Sequence, residues 1–332
     1  MRVLLKLLAT LLLGAALLAA ATWWWLQRPL ALRAASVEVS IEPGTSARDV
    51  ARLWTQAGVD ASPELLYQWF RWSGQARRIR AGSYEVEAGI TPRSLLDKMV
   101  RGDATLESLR LIEGWNLRQV REALAKAPSL KPVSQGMSDE QLAAAIGLDA
   151  GTPEGRLFPD TYLYSRGVSD LTVLKRAALA MQVHLARVWG QRQDGLPLAQ
   201  PDQLLVLASV VEKETGQAAD RTKVAAVFVN RLRLGMPLQS DPTVIYGLGP
   251  KFDGNLRRSD LQADTPWNSY TRQGLPPTPI AMPGLASLRA VAQPDKSKAL
   301  YFVAKGDGSS VFSDTLSDHN RAVNHYQRGG PP

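Results

Sequence analysis

The sequence predicts an α+β protein in three parts: an N-terminal transmembrane helix, a small α+β module, and a larger, mainly helical domain with short strands. Three observations lead there. Residues 7–26, LLATLLLGAALLAAATWWWL, run twenty positions without a charge. Between 37 and 112, short alternating segments interleave with helical repeats punctuated by Pro and Gly. From 169 onward, apolar residues recur at helical spacing through three long stretches.

The apolar run of 7–26 spans about 30 Å as a helix, the thickness of a bilayer's hydrocarbon core. Trp23, Trp24 and Trp25 close it, where indoles favour the interface. Arg2 and Lys6 precede the run and Arg28 and Arg33 follow it, so charge leaves its orientation nearly tied. Ala19, Ala20 and Ala21 also permit a cleaved signal peptide, although such peptides carry apolar regions of only about 7 to 15 residues. An uncleaved single-pass anchor is expected, with residues 1–6 cytoplasmic and the bulk of the chain exported.

In the module, VEVSI (37–41) alternates as a strand, and Thr45 or Ser46 caps a helix bearing Val50, Leu53, Trp54 and Ala57, closed by Gly58. Pro63 opens a helix with Leu65, Leu66, Trp69 and Phe70. Tyr84–Val86 reads as a strand, Pro92 starts a helix ended by Gly102, and Leu106–Ile112 alternates again. Residues 113–150 form a helical connector broken by Pro128, Pro132 and Gly136. Ser169 caps a long amphipathic helix, Pro201 and Asp202 open LLVLASVVEKET, ended by Gly216, and a third helix runs from about Asp220 to Leu234. Residues 235–285, dense in Gly, Pro, Asp and Asn, are expected to be a long ordered loop facing a ligand. A short strand pair near Leu300–Val303 and Val311–Phe312 and a terminal helix complete the chain.

Composition narrows the chemistry. With 45% hydrophobic and 21% charged residues, the 332-residue chain can bury a real core. Zero cysteines exclude disulfides, a thiol nucleophile and thiolate metal sites, and the three histidines lack metal-site spacing. No metal and no cofactor is expected. The net charge of +8 falls to +5 once residues 1–30 are set aside, and no basic module points to nucleic acid. Nucleophile-elbow, P-loop, S-x-x-K and G-x-G-x-x-G motifs are all absent. Carboxylate acid–base chemistry survives.

Glu212 and Glu214 end an otherwise apolar helix and lie 200° apart at 100° per residue, so they cannot share one site. Glu214 follows Leu207 by seven and Val210 by four, on an apolar ridge, whereas Glu212 sits on the side of Ser209 and reads as solvated. Partial burial and the negative end of the helix dipole both favour a protonated Glu214, as a general acid requires. An ordinary helix end with two solvated glutamates is the competing reading. Asp241 and Asp253 are possible second carboxylates, and Asp241 before Pro242 equally reads as turn chemistry.

ASVVEKET (208–215), VAAVFVNRL (224–232) and GMPLQSDPTVIY (235–246) resemble the endolytic murein transglycosylase (YceG-like) family. Asn268-Ser-Tyr270, GLPP (274–277), MPG (282–284), YFV (301–303), His319-Asn320 and, upstream, FPDTY (158–162) continue the resemblance in order. It implies a single-pass inner-membrane enzyme with a LysM-like module over 37–112 and a periplasmic catalytic domain over 113–328. It also implies cleavage of the MurNAc–GlcNAc bond within peptidoglycan glycan strands, leaving 1,6-anhydro-MurNAc ends and terminating nascent strands, with penicillin-binding proteins as partners. The family's catalytic acid falls on Glu214. Asn230, Gln239, Asp241, Thr243, Tyr246, Asn268 and Tyr270 are candidates for the cleft wall, each equally readable as an internally satisfied polar group. An inactive peptidoglycan-binding scaffold and a two-carboxylate hydrolase remain alternatives.

Overall fold

The computed structural model describes residues 2–149 and 151–329. It is a mixed helix-and-strand protein that divides into two compact units. The first comprises Met1–Ser108, Pro128–Lys131 and Leu163–Val168. The second comprises Leu109–Ala127, Pro132–Tyr162 and Ser169–Pro332.

The first unit begins with α1 (Arg2–Gln27), whose Lys6–Gln27 stretch is long and apolar enough to cross a membrane. Then follow β1 (Ala31–Leu32), β2 (Ser36–Ile41), α2 (Ala47–Ala57), β3 (Val59–Asp60), α3 (Pro63–Trp72), β4 (Gly82–Glu87), α4 (Pro92–Arg101) and β5 (Leu106–Arg110). Antiparallel β2 and β4 run in register from Ser36↔Glu87 to Ile41↔Gly82. Alternation sends Val37, Val39 and Ile41 inward, against Val50 and Trp54 of α2, Leu66 and Phe70 of α3, and Leu95, Leu96 and Met99 of α4. The helix ends follow their local chemistry. Ser46, Ser62 and Thr91 accept N–H bonds as N-caps, Pro63 and Pro92 occupy the first turns, and Gly102 ends α4 in the left-handed conformation.

The second unit contains α5 (Leu117–Lys126), α6 (Asp139–Ala145), α7 (Asp170–Gly190), α8 (Pro201–Glu214), α9 (Arg221–Arg233), α10 (Asp241–Leu248), α11 (Arg258–Gln262), α12 (Leu285–Ala292), β7 (Tyr301–Ala304), β8 (Ser310–Ser313) and α13 (Leu316–Arg328). The strand β6 (Thr161–Ser165) pairs with β5, and the boundary between the units falls within each of these two strands as well as at three points in the connecting chain. At the centre lies α8, packed by α7, α9, α10 and α12. All eight residues from Leu204 to Val211 are buried, so the helix is enclosed around its circumference until it emerges at Glu212–Glu214.

Two features depart from the sequence reading. Residues 235–285 are not one long loop, because α10 and α11 form within them. Asp241 and Pro242 occupy the first turn of α10, where a proline's missing N–H costs nothing. The pairing of β6 with β5 joins residues some fifty positions apart, beyond the reach of local patterning.

Candidate active site

Glu214 ends α8 with its side chain half-buried and a single hydrogen bond: Ser240 Oγ donates to Oε2 at 2.8 Å. Among the described residues nothing holds Oε1. Burial is the main force on this carboxyl and pushes its pKa up to about 7. The Ser240 hydroxyl and the Arg231 charge pull it down, while nearby Asp241 pushes it further up. Near neutral pH the group is therefore poised between its two forms. The Ser240 bond occupies Oε2 and leaves Oε1 to carry the transferable proton.

Ser240 is the N-cap of α10, yet its side chain makes no capping bond. Its hydroxyl is diverted to Glu214 instead. A buried network fixes it there. Ser240 N donates to Ser269 Oγ at 3.0 Å, Thr243 Oγ1 donates to Ser240 O at 2.6 Å, and the Thr243 and Ser269 hydroxyls lie 2.8 Å apart. The preceding residue, Gln239, takes a left-handed φ of 50°, a strained choice for a side chain of this type. It is held by its own N–H to Ser269 O at 3.0 Å and by Arg231 Nη1, which donates to Gln239 Oε1 at 3.3 Å. Buried Arg231 further donates to Leu300 O and Leu238 O at 2.7 and 2.8 Å, stapling the turn to β7 and α9. Next to Ser240, Asp241 Oδ1 accepts from Tyr270 Oη at 2.6 Å. Burial, then the Asp241 contact, raises the Tyr270 pKa, so its phenol stays a donor.

Of the sequence candidates, Gln239, Asp241, Thr243 and Tyr270 thus assemble around the Ser240–Glu214 pair. Three others are engaged elsewhere. The Asn230 amide donates to Ser297 O and Ala299 O, both at 3.0 Å, anchoring α9 to the segment before β7. Fully buried Asn268 donates to Asp260 O, Leu261 O and Ala263 O and accepts from Tyr270 N. Tyr246, at the far end of α10, donates to Glu154 Oε2 at 3.1 Å. Asp253 is exposed and paired with Arg257.

Glu212 is not the solvated glutamate its helical position predicted. Its Oε2 accepts from Gly284 N at 2.9 Å, at the N-cap of α12. A Cβ on Gly284 would meet the Glu113 carboxyl, the end of an exposed, flexible side chain that can move aside. Lys213 Nζ donates to Gly114 O at 3.3 Å, tying the same helix end to a second loop.

Sequence reasoning missed Ser240, Arg231, Ser269 and Glu154. Glu154 is only 4% exposed and accepts from Leu117 N at 3.0 and 3.2 Å as well as from Tyr246. Its pKa is pushed up to about 7, by burial before all else, against the pull of those donors. Gly155 follows at φ 74°, packed so tightly on Pro279 that any Cβ would collide with it. Glu154 floors a cleft of about 480 Å³ whose walls include Arg118, Arg121, Phe252, Tyr246 and Trp267. The last two meet edge to face at 5.4 Å. Among the described residues no group of three or more His, Asp or Glu could hold a metal.

The model of the YceG-like family matches residues 39–325, most of the chain and all of the site. The chain belongs to the YceG-like family. A relative named endolytic murein transglycosylase from Bacillus subtilis (strain 168) is 31% identical over 308 residues, 88% of this YceG-like chain and 85% of its own length. A protein of the same name from Streptococcus pneumoniae is 27% identical over 322 residues, and the alignment spans 58% of that longer relative. Among solved structures, a yceG-like protein of Listeria monocytogenes matches at a TM-score of 0.56 and 29% identity, covering 86% of this chain and 98% of that one.

Proposed function

We propose that this YceG-like chain is a membrane-anchored endolytic murein transglycosylase with Glu214 as its acid and base. The observation that carries the reading is the half-buried Glu214 carboxyl poised near neutrality, with Ser240 on one oxygen and, among the described residues, no partner on the other. The curated relatives, both named for this activity, support the substrate class.

The reaction follows from one carboxyl. Protonated at Oε1, Glu214 gives its proton to the oxygen linking MurNAc to GlcNAc as the C1–O bond breaks. The 6-hydroxyl of the same MurNAc then attacks C1, and its proton returns to Glu214. A 1,6-anhydro ring closes, no water is consumed, and the glutamate ends in its starting form. The tethered hydroxyl gains from proximity. The Ser240 bond holds the carboxyl in one rotamer through both transfers, and burial, with Asp241 adding to it, keeps its pKa high enough for the first. Gln239, Asp241 and Tyr270 shape the cleft wall beside the scissile bond, buried Thr243 braces the Ser240 turn behind it, and Tyr246 lines the cleft over Glu154.

In the same reading α1 anchors the chain in the inner membrane, residues after about 30 are periplasmic, and residues 37–112 form a LysM-like module ahead of a catalytic domain over 113–328. Strand termination would place the enzyme beside penicillin-binding proteins. The test is incubation of the purified full-length protein with sacculi. Soluble muropeptides should be released by the wild type and not by a correctly folded Glu214→Gln variant. Equal release by both would refute Glu214 as the acid, and release by neither would favour a binding scaffold.

A further inference from the structure

Helix α3 carries two apolar stripes. Leu66 and Phe70, four residues apart, are fully buried in the core of the first unit. Leu65, Trp69 and Trp72 stand at i, i+4 and i+7, on a separate face. Trp69 is pinned, its Nε1 donating to Pro92 O at 3.1 Å. Leu65, however, is 55% exposed and Trp72 is 73% exposed. One apolar face suffices to fold a helix onto its core. A second face that presents an indole to solvent marks a surface meant to be covered.

Beside this face lies the end of α1. Thr22, Trp25 and Leu26 share a groove of about 280 Å³ with Leu65, Trp69 and Trp72. Those α1 residues lie in the last turns of the apolar span, next to the exposed Trp23 and Trp24. That is the depth at which a spanning helix leaves acyl chains for headgroups. Almost no linker intervenes. Helix α1 ends at Gln27, Leu30 N already donates to Ile90 O at 2.7 Å, and Arg33 N to Gly58 O at 2.9 Å. Whatever surrounds the end of α1 therefore also reaches Leu65 and Trp72. Arg71 in the last turn of α3, with Arg77 and Arg78 just beyond, adds positive charge suited to anionic headgroups.

We propose that the Leu65–Trp69–Trp72 face of α3 is a membrane-docking surface, seated in the headgroup–acyl boundary of the leaflet that α1 leaves. The first unit is then held to the bilayer at two points, the span and this face, at a fixed height and tilt. The proposal rests on α1 crossing the bilayer and is independent of the glycan chemistry.

The chain contains no cysteine, so a single reporter thiol can be placed without background. Full-length L65C and W72C would each be labelled with a polarity-sensitive fluorophore and reconstituted at one chain per nanodisc of phosphatidylethanolamine and phosphatidylglycerol. Q56C, an exposed position on α2, is the reference, and T10C reports that the span is inserted. Leu65 and Trp72 are both exposed, so neither exchange empties the core. The expected result is blue-shifted emission at 65 and 72, strong quenching by lipids brominated near the headgroup, and several-fold weaker iodide quenching than at 56. Equal iodide quenching at 56, 65 and 72, with Thr10 quenched by tail-brominated lipid, overturns the proposal. Protection that appears only in discs carrying two chains overturns it as well, assigning the face to a second copy.

Discussion

Ser240 donates to Glu214 Oε2 across 2.8 Å from an N-cap position whose side chain does no capping. A serine there would ordinarily satisfy a backbone N–H of its own helix, worth about 1 kcal/mol. Its diversion to a carboxyl on another helix ties the start of α10 to the end of α8, and it pulls the Glu214 pKa down against burial.

Ser240→Ala removes a donor that favours the ionised carboxylate, so the Glu214 pKa should rise above about 7. Because the first step needs the protonated form, the basic limb of the pH–rate profile should move to higher pH. The rate at the optimum should fall as the carboxyl loses its fixed rotamer. No cap is lost, but Glu214 Oε2 loses its buried donor, so stability should fall by about 1–3 kcal/mol. Product release from sacculi across pH 5 to 9 measures the limb, and a limb that stays in place contradicts this role.

Asp241→Asn should act with the opposite sign. The Asp241 charge raises the Glu214 pKa, so its removal should move the basic limb to lower pH. The amide can still accept from Tyr270 Oη, which keeps the local geometry. The same pH series on this variant checks the direction.

Glu154 makes a stability prediction. Its folded pKa of about 7 lies above the ordinary 4.5, so the native state binds more protons than the unfolded chain between those values. Stability should fall as pH rises through that window, by about 3 kcal/mol from this group. Glu154→Gln keeps a carbonyl for Leu117 N and Tyr246 Oη but cannot ionise. The variant should therefore lose less stability than the wild type between pH 4.5 and 7.5, as followed by denaturant unfolding. Parallel profiles for the two proteins would contradict the assignment.

Glu212 and Asn268 should separate structure from chemistry. Glu212→Gln retains an acceptor for Gly284 N and should leave most activity, whereas Glu212→Ala strands that N–H and should cost about 1–3 kcal/mol of stability. Asn268→Ala empties a fully buried site and removes an amide that ties the Asp260, Leu261 and Ala263 carbonyls together, and should also cost about 1–3 kcal/mol. Melting temperatures and activity of the folded fraction distinguish the two kinds of loss.

Local chemistry was legible wherever it was strong. Pro63, Pro92 and Pro201 mark helix starts, Gly58 and Gly102 mark ends, and the apolar run from Leu204 to Val211 marks the buried helix that delivers Glu214. The angular argument that set Glu214 apart from Glu212 agrees with the structure, although Glu212 has a bond of its own. Helix α10 was illegible because it is eight residues long and contains Gly247, and it is held by packing on α8 rather than by propensity. Ser240 went unmarked in the sequence because its partner lies 26 positions away. Asn230 and Asn268 looked like sugar ligands because amides suit both sugars and backbone carbonyls, and only coordinates tell which they meet.

The central claim is that one carboxyl, Glu214, completes the cleavage with the substrate's own hydroxyl. Mass spectrometry of the products released from sacculi tests it most directly. Ring closure adds nothing across the broken bond, so the account predicts muropeptides ending in 1,6-anhydro-MurNAc, released by the wild type and absent with Glu214→Gln. Products heavier by one water, with free reducing ends, would show hydrolysis and contradict it.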